Sequence, residues 1–174
     1  KTEALGLRVK GLIARGAAAA SRRILVTTFS NRARDNARDR LTAYLTPQEM
    51  RDSVTVSNFH GLAARIFRAH ANVIGVSPTM IQVESDWVAE QWRARGLSPA
   101  MSADVQNRLR EAKQQTLDDD AVDLELARGG NASALSIERQ RIAEGRLTYD
   151  DLPRLAELIL ANDRVADLYR NHFA

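Results

Sequence analysis

The sequence contains no cysteine, only four prolines and few aromatic residues, which make up 5% of its 174 positions. The lack of cysteine excludes a disulfide-bonded scaffold, thiolate metal sites and cysteine catalysis. No apolar run approaches the roughly 20 residues that a membrane-spanning helix needs, so insertion into a membrane is also excluded. The sequence starts at Lys1 and Thr2, with neither an initiator methionine nor a signal peptide. We therefore expect an intracellular protein of which this chain is a piece.

Lysine is scarce as well, because 22 of the 25 basic residues are arginine. The net charge of +3 conceals an uneven distribution: residues 1–72 hold 13 basic and 5 acidic side chains, whereas residues 73–174 hold 12 and 17. The first segment therefore carries +8 and the second −5. A basic segment of this kind favours a polyanionic partner such as a nucleic acid. The alternative is that arginine is abundant because of the base composition of the genome.

Helices and strands alternate in the first half of the sequence. The β-branched run from Ile24 to Thr28 is typical of a strand buried on both faces of a sheet, and a shorter strand is predicted at residues 54–56. The helix after the first strand can be capped by Ser30 or Asn31, and the helix after the second by Asn58. This alternation predicts an α/β fold with a parallel sheet. Further predicted elements are a helix over residues 1–15, a linker over 17–21 and a third strand over 80–83.

From residue 85 onward the patterns indicate helices only. They are predicted over residues 86–95, 103–115, 121–128, 134–144 and 149–160. We interpret Trp87 and Trp92 as packing residues, and the acidic run 118–120 as a solvated loop before a helix rather than a cation site. The carboxylates of Asp150 and Asp151 are expected to serve the first turn of the last predicted helix.

Two polar and aromatic clusters follow the predicted strands, at the sheet edge where parallel α/β proteins bind their ligands. The first comprises Thr28, Phe29, Ser30, Asn31 and Arg32. The positive end of the helix dipole makes a cation such as Arg32 unfavourable in the first turn, and an anionic ligand would offset this repulsion. The ring of Phe29 beside it can stack on a nucleic-acid base. The alternative is that Phe29 belongs to the core and that the arginines of this turn, Arg32 and Arg34, pair with Asp35 and Asp39.

The second cluster runs from Ser57 to His60 and includes Asn58 and Phe59. Its alternative interpretation is a capping asparagine with a buried phenylalanine and an incidental histidine. We expect no metal at His60, because no second histidine or carboxylate lies at ligand spacing.

Several short motifs, taken together and in order, resemble the UvrD/Rep family of superfamily 1 DNA helicases. Lys1 and Thr2 look like the end of the Walker A phosphate-binding loop. The segments ILVTTFSNRA (24–33) and VSNFHGL (56–62) resemble the family's TFTNKA and TFHSL elements. LTYDDL (147–152) resembles its LDFDDL element, and VADLYRNHF (165–173) the helix that leads into the Walker B strand.

The resemblance implies the first RecA-like domain of an ATP-driven translocase, a P-loop NTPase parallel sheet with an inserted all-helical subdomain. The implied segments are residues 1–83 for the first part of the RecA-like domain, 84–147 for the insertion and 148–174 for the return. ATP and Mg²⁺ are the implied cofactors, with Lys1 on the β and γ phosphates and Thr2 on the metal. The implied contacts to single-stranded DNA are Thr28, Phe29, Asn31, Arg32, Asn58, Phe59 and His60.

The family resemblance further implies movement on single strands, generally 3′ to 5′, action at junctions of single-stranded and duplex DNA in repair or recombination, and a cytoplasmic, nucleoid-associated location in a bacterium. It implies no particular oligomeric state. Asn58 stands where the family usually has threonine, Gly61 where it has serine, and Arg32 where it has lysine. Because the Walker A glycines and the Walker B motif are not in the sequence, we expect this chain by itself not to hydrolyse ATP at a useful rate. The alternatives are a non-catalytic helicase-like DNA-binding module and a helical scaffold without a ligand.

Overall fold

A computed structural model describes residues 2–18, 22–83 and 85–174, and the side chains of residues 3–18, 22–83 and 87–174. The chain divides into two compact units. The first comprises Lys1–Leu62 and Asn162–Ala174, and the second comprises Ala63–Ala161. The predicted division at residues 83 and 147 differs from these bounds and stays a prediction about the domain organisation.

The first unit contains a two-stranded parallel sheet. Its elements are α1 (Thr2–Ala14), β1 (Ile24–Thr28), α2 (Asn31–Leu41), α3 (Pro47–Ser53), β2 (Val54–Asn58), the start of α4 (Phe59–His70) and α10 (Asp163–His172). β1 pairs with β2 in a register that sets Ile24 opposite Val54 and Thr28 opposite Asn58. The two strands therefore end at the same edge of the sheet, which confirms the predicted parallel arrangement.

The core of the first unit lies on one face of this sheet. Its buried residues are Val9, Ile24, Val26, Leu41, Leu45 and Val54. The expectation that β1 is buried on both faces is wrong, because Leu25 is half-buried and Thr27 is exposed. The backbone of Arg23 bonds to that of His172 and Ala174, so the end of the chain runs parallel to β1.

Capping groups explain where the helices of this unit begin. Ser30 caps α2 by accepting a hydrogen bond from the Ala33 amide, as one of the two predicted caps. The sequence analysis missed α3, although Thr46 and Glu49 form a complete capping box around Pro47 at its start.

The second unit contains five helices after α4, together with a short parallel pair. These elements are a 3₁₀ turn (Ala71–Ile74), β3 (Ile81–Gln82), α5 (Ser85–Ala94), α6 (Pro99–Gln115), α7 (Asp119–Arg128), α8 (Ala132–Ala143), β4 (Arg146–Leu147) and α9 (Asp151–Leu160). The strand predicted at 80–83 exists as β3, but it pairs with β4 and not with β1 or β2. The prediction of helices only after residue 85 is wrong at β4, since a two-residue strand leaves no periodic pattern to detect.

The predicted packing role of the two tryptophans is confirmed. Trp87 is buried in the core of the helical unit, and Trp92 packs against the same cluster. The other buried members of this core are Val105, Ala112, Val122, Leu126, Ala134 and Ile137. Within the described ranges, each helix is too short or too polar to cross a membrane.

Candidate nucleic-acid interface

The parallel register of β1 and β2 brings the two predicted clusters together at one edge of the sheet. Because Thr28 lies opposite Asn58, the residues that follow each strand are neighbours. Two contacts join them: the rings of Phe29 and Phe59 lie 5.1 Å apart between centroids, and Asn58 Nδ2 donates a hydrogen bond of 2.7 Å to Asn31 Oδ1. We call the residues 28–32 and 57–61 the carboxyl edge.

The two phenylalanines of the carboxyl edge form an exposed aromatic surface. Phe29 is 86% exposed and Phe59 is 43% exposed, with their ring planes inclined at 57°. The interpretation of Phe29 as a core residue is therefore wrong. Phe29 comes directly after β1, so the alternating burial of the strand does not apply to it, and its ring is exposed to solvent. The ring thus has a face on which a planar ligand can stack.

The arginines at the start of α2 differ in their pairing. Arg34 forms an ion pair of 2.8 Å with Asp35, so the alternative interpretation is correct for this residue. Arg32 is exposed and forms no ion pair within the described parts of the chain. The first turn of α2 has no acidic residue, so no carboxylate in that turn offsets the positive end of the helix dipole or the charge of Arg32.

Asn58 is 8% exposed and both ends of its side chain are engaged. Its Oδ1 accepts a hydrogen bond of 2.6 Å from the Gly61 amide, which confirms the predicted cap of α4. Its Nδ2 donates to Asn31, as described above. Thr28 Oγ1 donates to the Ser30 carbonyl at 3.2 Å, and His60 is half-buried in the first turn of α4.

A family model described as the UvrD/REP helicase N-terminal domain matches residues 1–173. The chain belongs to this family. Among curated proteins it is similar to the ATP-dependent DNA helicase PcrA of Leuconostoc citreum, with 38% identity over 63 residues. That alignment covers 36% of the chain and only 8% of the length of that helicase.

The UvrD/REP family match includes Lys1 and Thr2, the residues predicted to hold nucleotide phosphates. Lys1 lies outside the described residues, as does the side chain of Thr2. The backbone of Thr2 begins α1, and Glu3 occupies the first turn of that helix.

The second unit of this UvrD/REP domain contains a buried ionic cluster that the sequence analysis did not predict. Its members are Lys113, Asp119, Glu138, Arg141, Asp151 and Arg154. Asp151 lies at the centre and is 0% exposed: it pairs with Lys113 at 2.9 Å and with Arg154 at 2.9 Å. Asp151 lies in the first turn of α9, as expected, but its carboxylate accepts hydrogen bonds from Thr148, which precedes the helix. Asp150 makes no capping hydrogen bond, so the expected role of its carboxylate at this turn is not observed.

The ionic cluster does not have the charge of a metal site. One oxygen each of Asp119, Glu138 and Asp151 lie within 4.8 Å of one another, a spacing that suits a cation. However, three basic side chains already neutralise the three carboxylates, and Lys113 places its ammonium 3.0 Å from Glu138. A divalent cation would therefore have to displace ammonium or guanidinium groups that are themselves buried.

The electrostatics of the cluster favour the ionised forms of Asp151 and Arg141. Burial by itself would raise the pKa of Asp151, but the charges of Lys113, Arg141 and Arg154 hold this pKa well below its usual range. Burial would likewise lower the pKa of Arg141, whereas the neighbouring carboxylates, Asp151 first, raise it above its ordinary value. The i, i+3 spacings Glu138–Arg141 and Asp151–Arg154 are the sequence signal that could have indicated these pairs.

Proposed function

We propose that this chain is part of an ATP-dependent DNA helicase, and that the carboxyl edge contacts single-stranded DNA. The observation that carries the proposal is the exposed Phe29–Phe59 pair at the ends of two parallel strands. Arg32 follows the first of these strands, is exposed, and forms no ion pair with any residue that the structure describes. Aromatic rings that stack on bases, next to a basic group for the phosphates, are the combination by which proteins hold single strands without reading their sequence. The family membership and the named activity of the similar PcrA protein support the same function.

The proposed roles follow from exposure and hydrogen bonding. Phe29 offers a face to a base, with Phe59 behind it, and Arg32 supplies a positive charge for a phosphate. Asn31 and His60 are proposed as polar contacts. Thr28 is proposed as a contact through its hydroxyl oxygen. Asn58 is proposed to act on the strand through Asn31, since its own polar atoms are engaged within the protein.

We propose ATP and Mg²⁺ as the cofactors, with Lys1 and Thr2 at the phosphates. The residue types fit this role, because a lysine followed by a hydroxyl residue ends a phosphate-binding loop. Lys1 would add a positive charge and Thr2 a hydroxyl ligand for the metal. Bound ATP would supply the free energy for movement along the strand.

The finer proposals rest on the family resemblance. They are a RecA-like P-loop sheet with an inserted helical subdomain, movement from 3′ to 5′, action at junctions of single-stranded and duplex DNA, and a role in repair or recombination in the bacterial cytoplasm.

The proposal is tested by fluorescence anisotropy of a labelled oligothymidylate titrated with the 174-residue chain and with its Phe29→Ala variant. Loss of one stacked base removes about 1–3 kcal/mol, so the variant should bind about 5-fold to 150-fold more weakly. Leu168→Ala is the matched control, because this side chain in α10 is also exposed and apolar. Equal affinities of the wild type and the Phe29→Ala variant would contradict the proposed site.

A further inference from the structure

We propose that Asn58 and Gly61 act as one unit that positions the side-chain amide of Asn31 toward single-stranded DNA. This inference rests on the proposed function of the carboxyl edge and names a positioning device within it. It starts from three groups that the structure places in a chain: the Gly61 amide, the Asn58 side chain and the Asn31 side chain.

The hydrogen bonds fix the orientation of both asparagine side chains. The Gly61 N–H can only donate, so the atom of Asn58 that it meets at 2.6 Å is the oxygen, Oδ1. Nδ2 of Asn58 therefore points the other way, toward Asn31. Because Nδ2 can only donate, Asn31 must turn its own oxygen inward to accept at 2.7 Å.

The consequence is that Asn31 presents its NH₂ group outward. Asn31 is exposed at the first position of α2, and its Nδ2 donates to no other residue in the described ranges. An outward donor beside Arg32 and the positive end of the α2 dipole matches a ligand that carries acceptors, which are the phosphate and base oxygens of a DNA strand. Without Asn58 the Asn31 amide would rotate freely and lose this preference.

The absence of a side chain at Gly61 is what allows Asn58 to take this position. A Cβ atom at residue 61 would lie 2.7 Å from Asn58 Oδ1 and 3.3 Å from Ser57 Oγ, and both are closer than ordinary contact. The two departures from the family's TFHSL pattern, asparagine for threonine at 58 and glycine for serine at 61, therefore depend on each other. The longer amide reaches across to Asn31, and the missing Cβ gives it room.

Two double-mutant cycles test this inference in the 174-residue chain, with oligothymidylate anisotropy as the measurement. Asn58→Thr keeps an oxygen that can cap α4 but is too short to reach Asn31, so we expect about 3-fold to 10-fold weaker binding from one lost positioning bond. Gly61→Ser should weaken binding to a similar degree, because its Cβ displaces the same amide. The Asn58→Thr/Gly61→Ser double variant should bind no more weakly than Asn58→Thr alone.

The second cycle uses Asn31→Ala. If Asn58 acts through Asn31, then Asn58→Thr causes no further loss in the Asn31→Ala background. Asn58→Ser is the second variant at this position, and Ala69→Ser, at an exposed position of the same helix, is the control for an added hydroxyl group. Melting temperatures of all variants show whether a loss of binding reflects unfolding, and only losses at unchanged melting temperature count as support.

The outcomes separate this inference from the function on which it rests. Wild-type affinity for Asn58→Thr, or losses that multiply in both double variants, would overturn the positioning unit. The proposed DNA site would still be supported in that case if Phe29→Ala binds more weakly than the wild type. If Phe29→Ala binds like the wild type, or if the wild type does not bind DNA, the proposed function and this inference are both overturned.

Discussion

At the residue scale, the proposed contact with DNA depends on a few side chains of the carboxyl edge. Phe29 follows β1 and is solvent-exposed, although its hydrophobicity alone would favour the core. Its ring and that of Phe59 together form an exposed apolar patch, a feature that marks binding surfaces. In the proposed complex this patch stacks on a base while Arg32 contacts a phosphate of the same strand.

Replacement of Arg32 by alanine should remove one phosphate contact from the DNA complex. For single strands each such contact contributes about 0.7 to the slope of log affinity against log salt, so the slope of the Arg32→Ala variant should fall by about that amount. The measurement is a salt series of anisotropy titrations. Arg40→Ala is the control, because Arg40 is exposed in the last turn of the same helix, away from the carboxyl edge. Equal slopes for the wild type and Arg32→Ala would remove Arg32 from the interface.

The close packing of Gly6 predicts an effect on the stability of the fold alone. A Cβ at this position of α1 would overlap the ring of Tyr44, whereas a Cβ at Gly11 would lie at an ordinary contact distance of 3.9 Å from Arg15 Nη1. Gly6→Ala should therefore lower the free energy of unfolding by about 1–3 kcal/mol through overpacking. Gly11→Ala should leave it unchanged or raise it by up to about 1 kcal/mol, because alanine favours helix. Urea unfolding of both variants checks the difference, and equal effects would contradict the close approach of α1 and Tyr44.

Local sequence predicted some of these residue positions and not others. The caps Ser30 and Asn58 were predictable because capping depends on neighbouring backbone amides. The exposure of Phe29 and the burial of Asp151 were not, since both depend on residues that are distant in sequence. The Asn58–Asn31 bond spans 27 positions and becomes visible only when β1 and β2 are paired in register.

At the element scale, the ionic cluster links α6, α7, α8 and α9 of the helical unit. Lys113 comes from α6, Asp119 from α7, Arg141 from α8 and Asp151 from α9. The cluster therefore fixes how these four helices meet. Buried ion pairs do not by themselves add much stability, but the removal of one partner leaves a charge that is buried and uncompensated.

Asp151→Asn should lower the free energy of unfolding by about 3–5 kcal/mol, because it leaves three basic groups facing two carboxylates in a buried site. Asp150→Asn is the matched control, since Asp150 is exposed and adjacent in sequence, and its effect should stay within about 0.5 kcal/mol. Urea unfolding monitored by circular dichroism gives both values. Similar small losses for the two variants would contradict the central position of Asp151.

The lowered pKa of Asp151 also predicts a pH dependence. A carboxyl group whose pKa is lower in the folded than in the unfolded chain stabilises the fold at pH values above its usual pKa. This contribution is lost as the pH falls from about 4 toward the lower pKa of the folded state. The unfolding free energy of the wild type should therefore drop more steeply below about pH 4 than that of Asp151→Asn. Parallel pH profiles for the two proteins would contradict this assignment.

The elements themselves were largely predictable from periodicity, except where they are short. The long helices and β1 lie within a few residues of their predicted bounds, because they bury apolar residues at intervals that a sequence pattern shows. The seven-residue helix α3 and the two-residue strand β4 were missed, since neither is long enough to show a period. The pairing of β3 with β4 joins residues 65 positions apart and has no local signal.

At the scale of the whole molecule, the uneven charge noted in the sequence acquires a location. The segment 1–72 that carries +8 contains all of the carboxyl edge, and the acidic remainder contains the ionic cluster. This positive charge favours association with DNA, which agrees with the contact proposed at the carboxyl edge. Composition indicated the charge of the proposed partner, and the parallel register of the sheet brings the two proposed contact segments together.

The most direct test of the account is to map the site at which DNA contacts the chain. Oligothymidylate that contains 4-thiothymidine would be photo-crosslinked to the 174-residue chain, and the crosslinked peptides identified by mass spectrometry. The account predicts crosslinks within residues 28–32 and 57–61, with the largest yield at Phe29 because stacked rings lie closest to the base. Crosslinks confined to residues 85–161 would contradict it.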